Sequence, residues 1–434
     1  MKKTLATLLA ATMIAGSFAG CGNSPASGAA PAPATSSAAP ASEAKPAEPV
    51  TLTYWQHSSA ARDEMMTNLV AEFEKQNPNI KVKLEFIPEK DYTQKLVPSL
   101  ATATAPDVFQ VQAGMASKLA AAGSIQPLDP SVIAYDKIAT DFVPATVEGL
   151  KVNDKYYGMP TDVQTVLTFW NKKLVAEAGL DAEKGPQTWD EFYEWARKLT
   201  KKDASGNLAQ SGWGGKGYHA EVQSYVEACG GKFYDAATKQ FQFADDPKSV
   251  EAIRKYASLY RDDKVYNTEF VANWAGFRQG VVAMMIGHPA MLGNLPTTAP
   301  DLDFAVGLLP AQDGKRPACT SSWAYVMSNK APSVEATKFI EFLSSEAVEK
   351  EWTLKTGELP ARNVLLTDAD LLKDAKSSIA IKSLEESFVG IIQTPSLNTL
   401  LKEMFDEIYK TDKPLEEILK TYQQKMTDDI NAPV

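Results

Sequence analysis

The chain has 434 residues, with 44 Lys and Arg against 54 Asp and Glu, three His and three Cys. A net charge of −10 argues against nucleic acid and against adhesion to anionic lipid, both of which call for a basic face. Three cysteines exclude a disulfide scaffold; for Cys229 and Cys319, the two beyond residue 21, a bridge is open outside the cell, with two buried free thiols the preferred reading.

Lys2-Lys3, an apolar run from Leu5 to Ala15 and Ser17-Phe18-Ala19-Gly20 form a secretory signal over residues 1–20. The run is too short to span a bilayer. Cys21 directly after Ala19-Gly20 resembles a bacterial lipobox, with Phe18 where that pattern usually has Leu. The resemblance implies that Cys21 becomes an acylated first residue and a lipid anchor. Residues 21–48 are rich in Ala, Pro and Ser with no large apolar side chain, so they cannot bury enough surface to offset ordering entropy. Such a tether reaches roughly 30 Å as a coil and about 80 Å as polyproline II. The 386 residues from 49 to 434 exceed one core and predict two lobes, with 41 basic against 52 acidic side chains.

The body opens as strand, helix, strand, helix, strand. Val50 to Trp55 reads as a strand, and Met65, Met66, Leu69, Val70 and Phe73 fall at helical spacing before Asn77-Pro78-Asn79. Ile80, Val82, Leu84 and Phe86 then alternate with Lys81, Lys83 and Glu85. A helix over about 91–102 and a strand over 107–111 complete a parallel sheet covered by helices, whose ligand sites lie at the C-terminal strand ends. Further on, Thr188 to Glu191 is a capping box, and Asp246-Pro247 opens another helix. Strands follow at 281–286, 303–309 and 323–327, then helices at 333–343 and 345–355. Two amphipathic helices close the chain from Leu397 to Ile430, divided near Asp412-Lys413-Pro414.

Four passages together carry a resemblance. They are Pro106-Asp107-Val108, Phe169-Trp170-Asn171-Lys172-Lys173-Leu174, Pro186-Gln187-Thr188-Trp189-Asp190-Glu191-Phe192 and Phe277-Arg278-Gln279-Gly280-Val281-Val282-Ala283-Met284-Met285. Cys229-Gly230-Gly231 and Gly357-Glu358-Leu359-Pro360-Ala361 add to it. The chain resembles the extracellular solute-binding proteins of ABC importers, in the carbohydrate-binding group. That resemblance implies a periplasmic-binding-protein-like α/β fold, two α/β lobes around a hinged ligand cleft. It implies lobe I at 49–161 and 306–357 and lobe II at 162–305 and 358–434, with crossings at Thr161-Asp162 and after Phe304. It also implies a carbohydrate as ligand, an ABC permease as partner, and no catalysis. Nothing in the sequence signals self-association, so a monomer is expected.

Sugar sites combine aromatic faces with planar polar groups. Gln56 and His57 follow the first strand and Gln112 the third, where ligand loops sit. Asp162 lies at a crossing, where ligand contact competes with a structural hydrogen bond. Trp213 to His219 places Trp213, Tyr218 and His219 among glycines, which reads as an exposed aromatic passage. By the resemblance, Tyr218, His219 and Glu221 occupy the stretch that contributes stacking aromatics. Gly287-His288-Pro289 lacks the Trp that the family often has there, leaving His288 as a polar contact. Ser321-Ser322-Trp323 matches the glycine-aromatic strand at the lobe I edge, so Trp323 is a stacking candidate. Glu358 and Arg362 flank the third crossing. Trp274 and Phe277 are read as either core or site. Trp170, Trp189, Trp195 and Trp352 are read as core.

All three histidines, His57, His219 and His288, fall in these loops. A metal triad or a pH-sensitive site is the sharp reading; neutral hydrogen-bond partners for hydroxyls is the other. Ligand spacing of the HxxxH kind is absent, so no metal and no cofactor is expected. Two rivals remain. A secreted glycosidase or esterase would need carboxylate pairs that sequence cannot exclude, although no Gly-x-Ser-x-Gly elbow occurs. A binder of phosphate esters or ferric ion would need clustered Arg, Lys or Tyr in the loops.

Overall fold

The computed structural model describes residues 49–215, 218–235, 238–271, 273–390 and 395–432. The expected signal, Cys21 and the tether lie outside the described residues, as do Lys216 and Gly217 within the aromatic passage. Among the described residues no helix is long and apolar enough to cross a membrane.

Two five-stranded sheets organise the body. The first runs Ile80–Pro88, Val50–Ser58, Val108–Gln112, Trp323–Met327, Gly158–Pro160 in spatial order. Its first three strands are parallel, with Val50 opposite Ile80 and Tyr54 opposite Val108. Trp323–Met327 runs antiparallel to both its neighbours, and Trp323 pairs with Gln112. The Lys81/Lys83 alternation sends those lysines to solvent while Ile80 and Val82 enter the core. The helix Ala60–Gln76 buries the five residues that its periodicity singled out, and the backbone N–H of Asn77 closes it on the Phe73 carbonyl at 2.9 Å.

The second sheet runs Phe304–Gly307, Leu167–Asn171, Val282–Gly287, Leu208–Trp213, Lys201–Lys202. Leu167–Asn171 is antiparallel to both neighbours; Val282–Gly287 and Leu208–Trp213 are parallel. The helix Trp189–Lys198 starts at a complete capping box, Thr188 and Glu191 bonding each other's backbone N–H at 3.2 Å. The helix Pro247–Arg261 starts with Asp246 accepting from the Ser249 N–H at 2.9 Å. The closing helices are Pro395–Lys410 and Leu415–Asn431. Each lobe has its own core. Trp170, Trp189 and Trp195 lie in one, Trp352 in the other, and all four are buried. Cys229 and Cys319 are free thiols.

Two expected boundaries move. Residues 306–321 do not return to lobe I. Phe304–Gly307 pairs with Leu167–Asn171, and Ala318–Thr320 pairs with Ser387–Val389 against the lobe II core. The second crossing is therefore at 320–322. The third comes later than residue 358, because Ala361 packs in the lobe I core and Arg362 bridges to Phe142. Sequence located these segments by their strands but not by the partners those strands choose.

The three crossings lie side by side. Val163 N–H donates to Leu359 O at 2.9 Å, and Gln164 and Ser321 exchange backbone bonds at 2.7 and 2.9 Å. The helix Ala290–Thr298 of lobe II abuts this seam. A Cβ on Gly357, whose φ is +75°, would meet the Gly293 nitrogen at 2.8 Å, so the two backbones touch only because both residues are glycine.

Candidate functional site

The crossings floor a cleft of about 860 Å³ between the lobes. Its wall residues sit where strands end. His57 is the next-to-last residue of the first strand, Gln112 the last of the third, and His288 follows Gly287. Tyr218 and His219 come from the loop and first helical turn after Trp213. This is the placement expected for ligand loops of α/β sheets.

On the lobe I side His57 stacks on Trp323, with ring centroids 4.1 Å apart and 25° between planes. Tyr92 stands edge-on to both rings. On the lobe II side Tyr218, Trp274 and His288 form a second aromatic group, with Trp274 perpendicular to His288 at 6.1 Å. His288 Nδ1 lies 2.9 Å from the Thr165 carbonyl, which can only accept, so Nδ1 carries the proton. Its Nε2 is then the acceptor for the Tyr218 hydroxyl.

Burial disfavours the charged form of all three imidazoles. Burial pulls His57 well below its usual value, with Arg62 adding to the effect and Gln110 opposing it. Burial, then neighbouring His288, brings His219 down to about 3. Burial also lowers His288, against the Thr165 carbonyl and Glu358.

Arg62, in the first turn of Ala60–Gln76, reaches across to Glu358 in the third crossing. Burial would lower the guanidinium, but Glu358 and then Asp162 outweigh it and hold the group charged. Glu358 is 2% exposed and also accepts from Trp352 Nε1 at 2.6 Å. Arg62, at the hinge end of the cleft, is thus neutralised from within.

Seven of the expected side chains line this cleft: His57, Gln112, Tyr218, His219, His288, Trp323 and Glu358. Five lie elsewhere. Gln56 points the other way along its strand, bonded to Tyr54 at 3.1 Å and Asp63 at 3.2 Å, because successive strand residues face opposite sides. Trp213 is 1% exposed in the lobe II core and donates to Glu221 at 2.8 Å, so neither reaches the cleft wall. Gly215, two residues on, makes room for the Trp213 ring: a Cβ there would lie inside the indole. Asp162 is 1% exposed and ties the crossings together, accepting from Thr161 Oγ1 at 2.7 Å, from Trp323 N–H at 3.2 Å and from Gln164. Arg362 packs over Phe142 and bonds Ser344 O and Asp141, a lobe I anchor.

Arg62, Glu89, Trp274, Tyr266 and Tyr409 line the cleft without having been singled out as site residues. For Trp274 the sequence allows core or site, and the structure puts it in the cleft wall. Arg62 carried no local signal, because its partner Glu358 is 296 residues away. The three histidines divide between the walls, one on Trp323 and two around Tyr218. Among the described residues no group of three His, Cys, Asp or Glu side chains could hold a metal ion.

The chain is similar to known proteins over most of its length. It is 23% identical to a maltotriose-binding protein of Pyrococcus abyssi (strain GE5 / Orsay) over 390 residues, 87% of this chain and 82% of that one. It is 25% identical to the sn-glycerol-3-phosphate-binding periplasmic protein of Escherichia coli (strain K12) over 334 residues, 71% and 74% of the two chains. Its fold matches an ABC transporter solute-binding protein of Thermotoga lettingae TMO bound with α-D-tagatose. That match has a TM-score of 0.75 and 23% identity, and it covers 88% of this chain and 100% of that one. Residues 58–350 match the model of the bacterial extracellular solute-binding proteins, and the chain belongs to that family.

Proposed function

We propose that this protein is the receptor subunit of an ABC importer, capturing a neutral sugar or oligosaccharide in the interlobe cleft and delivering it to a permease. One observation carries the reading. Aromatic faces from opposite lobes, Trp323 on one side and Tyr218 with Trp274 on the other, flank imidazoles whose charged form burial disfavours and an arginine already neutralised by Glu358. Aromatic rings suit the C–H faces of a pyranose, and neutral imidazole both donates to and accepts from hydroxyls. The ligand class agrees with the maltotriose and tagatose of its relatives. Closure would follow from extra contacts the ligand makes in the closed state. The receptor acts as a monomer without catalysing a reaction, and Cys21 carries its lipid anchor at the outer face of the cell membrane.

A second reading has its own support. Arg278 lines the cleft with the Asn294 amide as its partner at 3.3 Å, and a relative binds sn-glycerol-3-phosphate. A polyol phosphate would use that cation.

A thermal-shift screen of residues 49–434 decides between them. A neutral glycan at a hundred times its dissociation constant adds about 2.7 kcal/mol of stability. A shift with sn-glycerol-3-phosphate and with no neutral glycan would replace the first reading with the second. Consumption of a bound glycan would make the protein an enzyme. Acyl labelling that survives Cys21→Ser would overturn the anchor.

A further inference from the structure

Beside the main cleft lies a second chamber of about 240 Å³, set between the helix Glu89–Ser99 and the start of Ala113–Ala121. It is not a separate pocket of lobe I. Glu89, Gln112, Trp323 and Asn398 line both cavities. Asn398 comes from the helix Pro395–Lys410 of lobe II, so the chamber, like the cleft, is walled by both lobes.

Its lining is graded. Leu96, Val97 and Met115 give an apolar floor, while Gln94, Gln112 and Asn398 offer amides. Tyr92 contributes its ring only, since its hydroxyl donates to the Gln110 carbonyl at 2.7 Å and accepts from the Gln110 N–H at 3.1 Å. Amides over an apolar floor fit a ring with one C–H face and a rim of hydroxyls. The volume equals roughly eight water molecules of liquid, the scale of a single sugar unit. His57 already covers one face of Trp323 at 4.1 Å. What Trp323 offers a ligand is therefore its remaining surface, at the junction where the two cavities meet.

We infer that the second chamber is a further sugar subsite, and that the ligand is an oligosaccharide whose end passes Trp323 into it. This rests on the carbohydrate reading above and names the ligand class within it. A monosaccharide would leave the chamber empty and gain nothing from Gln94 or Val97.

Calorimetry with linear α-1,4-gluco- and β-1,4-manno-oligosaccharides of one to six units tests it. Affinity should rise stepwise, at least tenfold, at the unit that enters the chamber. Val97→Trp fills the chamber from a residue outside the main cleft and should erase the step while leaving the affinity for shorter chains unchanged. Thr93→Trp should do the same if the first variant folds poorly. An affinity flat with length, or a step surviving in both variants, would overturn the subsite while leaving the sugar reading intact. Binding of no glycan by the unsubstituted protein would sink the sugar reading and this inference together.

Discussion

Lys118 Nζ, on a lobe I helix, lies 3.1 Å from the carbonyl oxygen of Ala432, at the end of the last lobe II helix. The Asp429 carbonyl is 3.5 Å from the same nitrogen. The last carbonyls of a helix lack the usual partner four residues on and carry partial negative charge, so a lysine placed there is favourable. Because the two helices belong to different lobes, the contact exists only while the lobes are close.

Lys118→Met should therefore favour the open arrangement. The loss of about 1 kcal/mol corresponds to roughly fivefold weaker ligand binding. Calorimetry gives the affinity, and solution scattering of the ligand-free protein gives the radius of gyration, which should grow. Unchanged affinity and an unchanged radius would show that the clasp does not bear on closure.

Arg62→Ala leaves the Glu358 carboxylate buried beside Asp162 without its cation. Stripping one partner from a buried pair costs about 3–5 kcal/mol. Urea unfolding should register that loss, and adding Glu358→Gln should recover most of it. A loss below about 1 kcal/mol, the range of exposed pairs, would mean that solvent reaches the site.

Glu349 supplies the pH dependence. It is 2% exposed, and burial pushes its carboxyl up to about 8 although the backbone N–H of Arg362 donates to it at 3.0 Å. The folded state thus holds a proton that the unfolded chain releases. Its contribution to stability is full below the unfolded carboxyl range and falls as pH rises from about 4.5 to about 8. Asp162, pushed up to about 6 by burial and by Glu358 against Arg62, acts in the same sense between about 4 and 6. Glu349→Gln should flatten the decline between pH 5 and 8 and melt above the unsubstituted protein at pH 8.5. Parallel melting curves across that range would refute the assignment.

Trp274→Ala should weaken glycan binding about tenfold and Tyr218→Phe, which keeps the stacking ring, by less, while the melting temperature moves little for either, since both side chains are half-buried in the cleft wall. Trp213→Ala should do the reverse, costing about 3–5 kcal/mol of stability, because its ring fills the lobe II core. Equal effects of Tyr218→Phe and Trp213→Ala on the melt would show that the two positions play the same structural role.

The division between these positions follows from what a sequence can encode locally. His57, Gln112 and His288 were readable because strand ends are readable: alternation and turns mark them, and α/β sheets bind at those ends. Gln56 was misplaced because one residue along a strand reverses the facing, and the register is set by the neighbouring strand. Trp213 was misread because glycines that free the backbone for exposure look the same as glycines that make room for a buried indole.

By itself the sequence determined the periodicities, the capping box at Thr188, the Asp246 cap and the order of strands and helices, since each rests on contacts within a few residues. Family membership was legible in the same short motifs. Only the tertiary structure decided that Arg62 meets Glu358 and that Trp323 lies under His57. It alone returned residues 306–321 to lobe II and joined a second chamber to the cleft. Those outcomes depend on which buried charge finds its partner and which edge strand finds its sheet. Both are settled by packing between segments hundreds of residues apart, where local propensity has no influence.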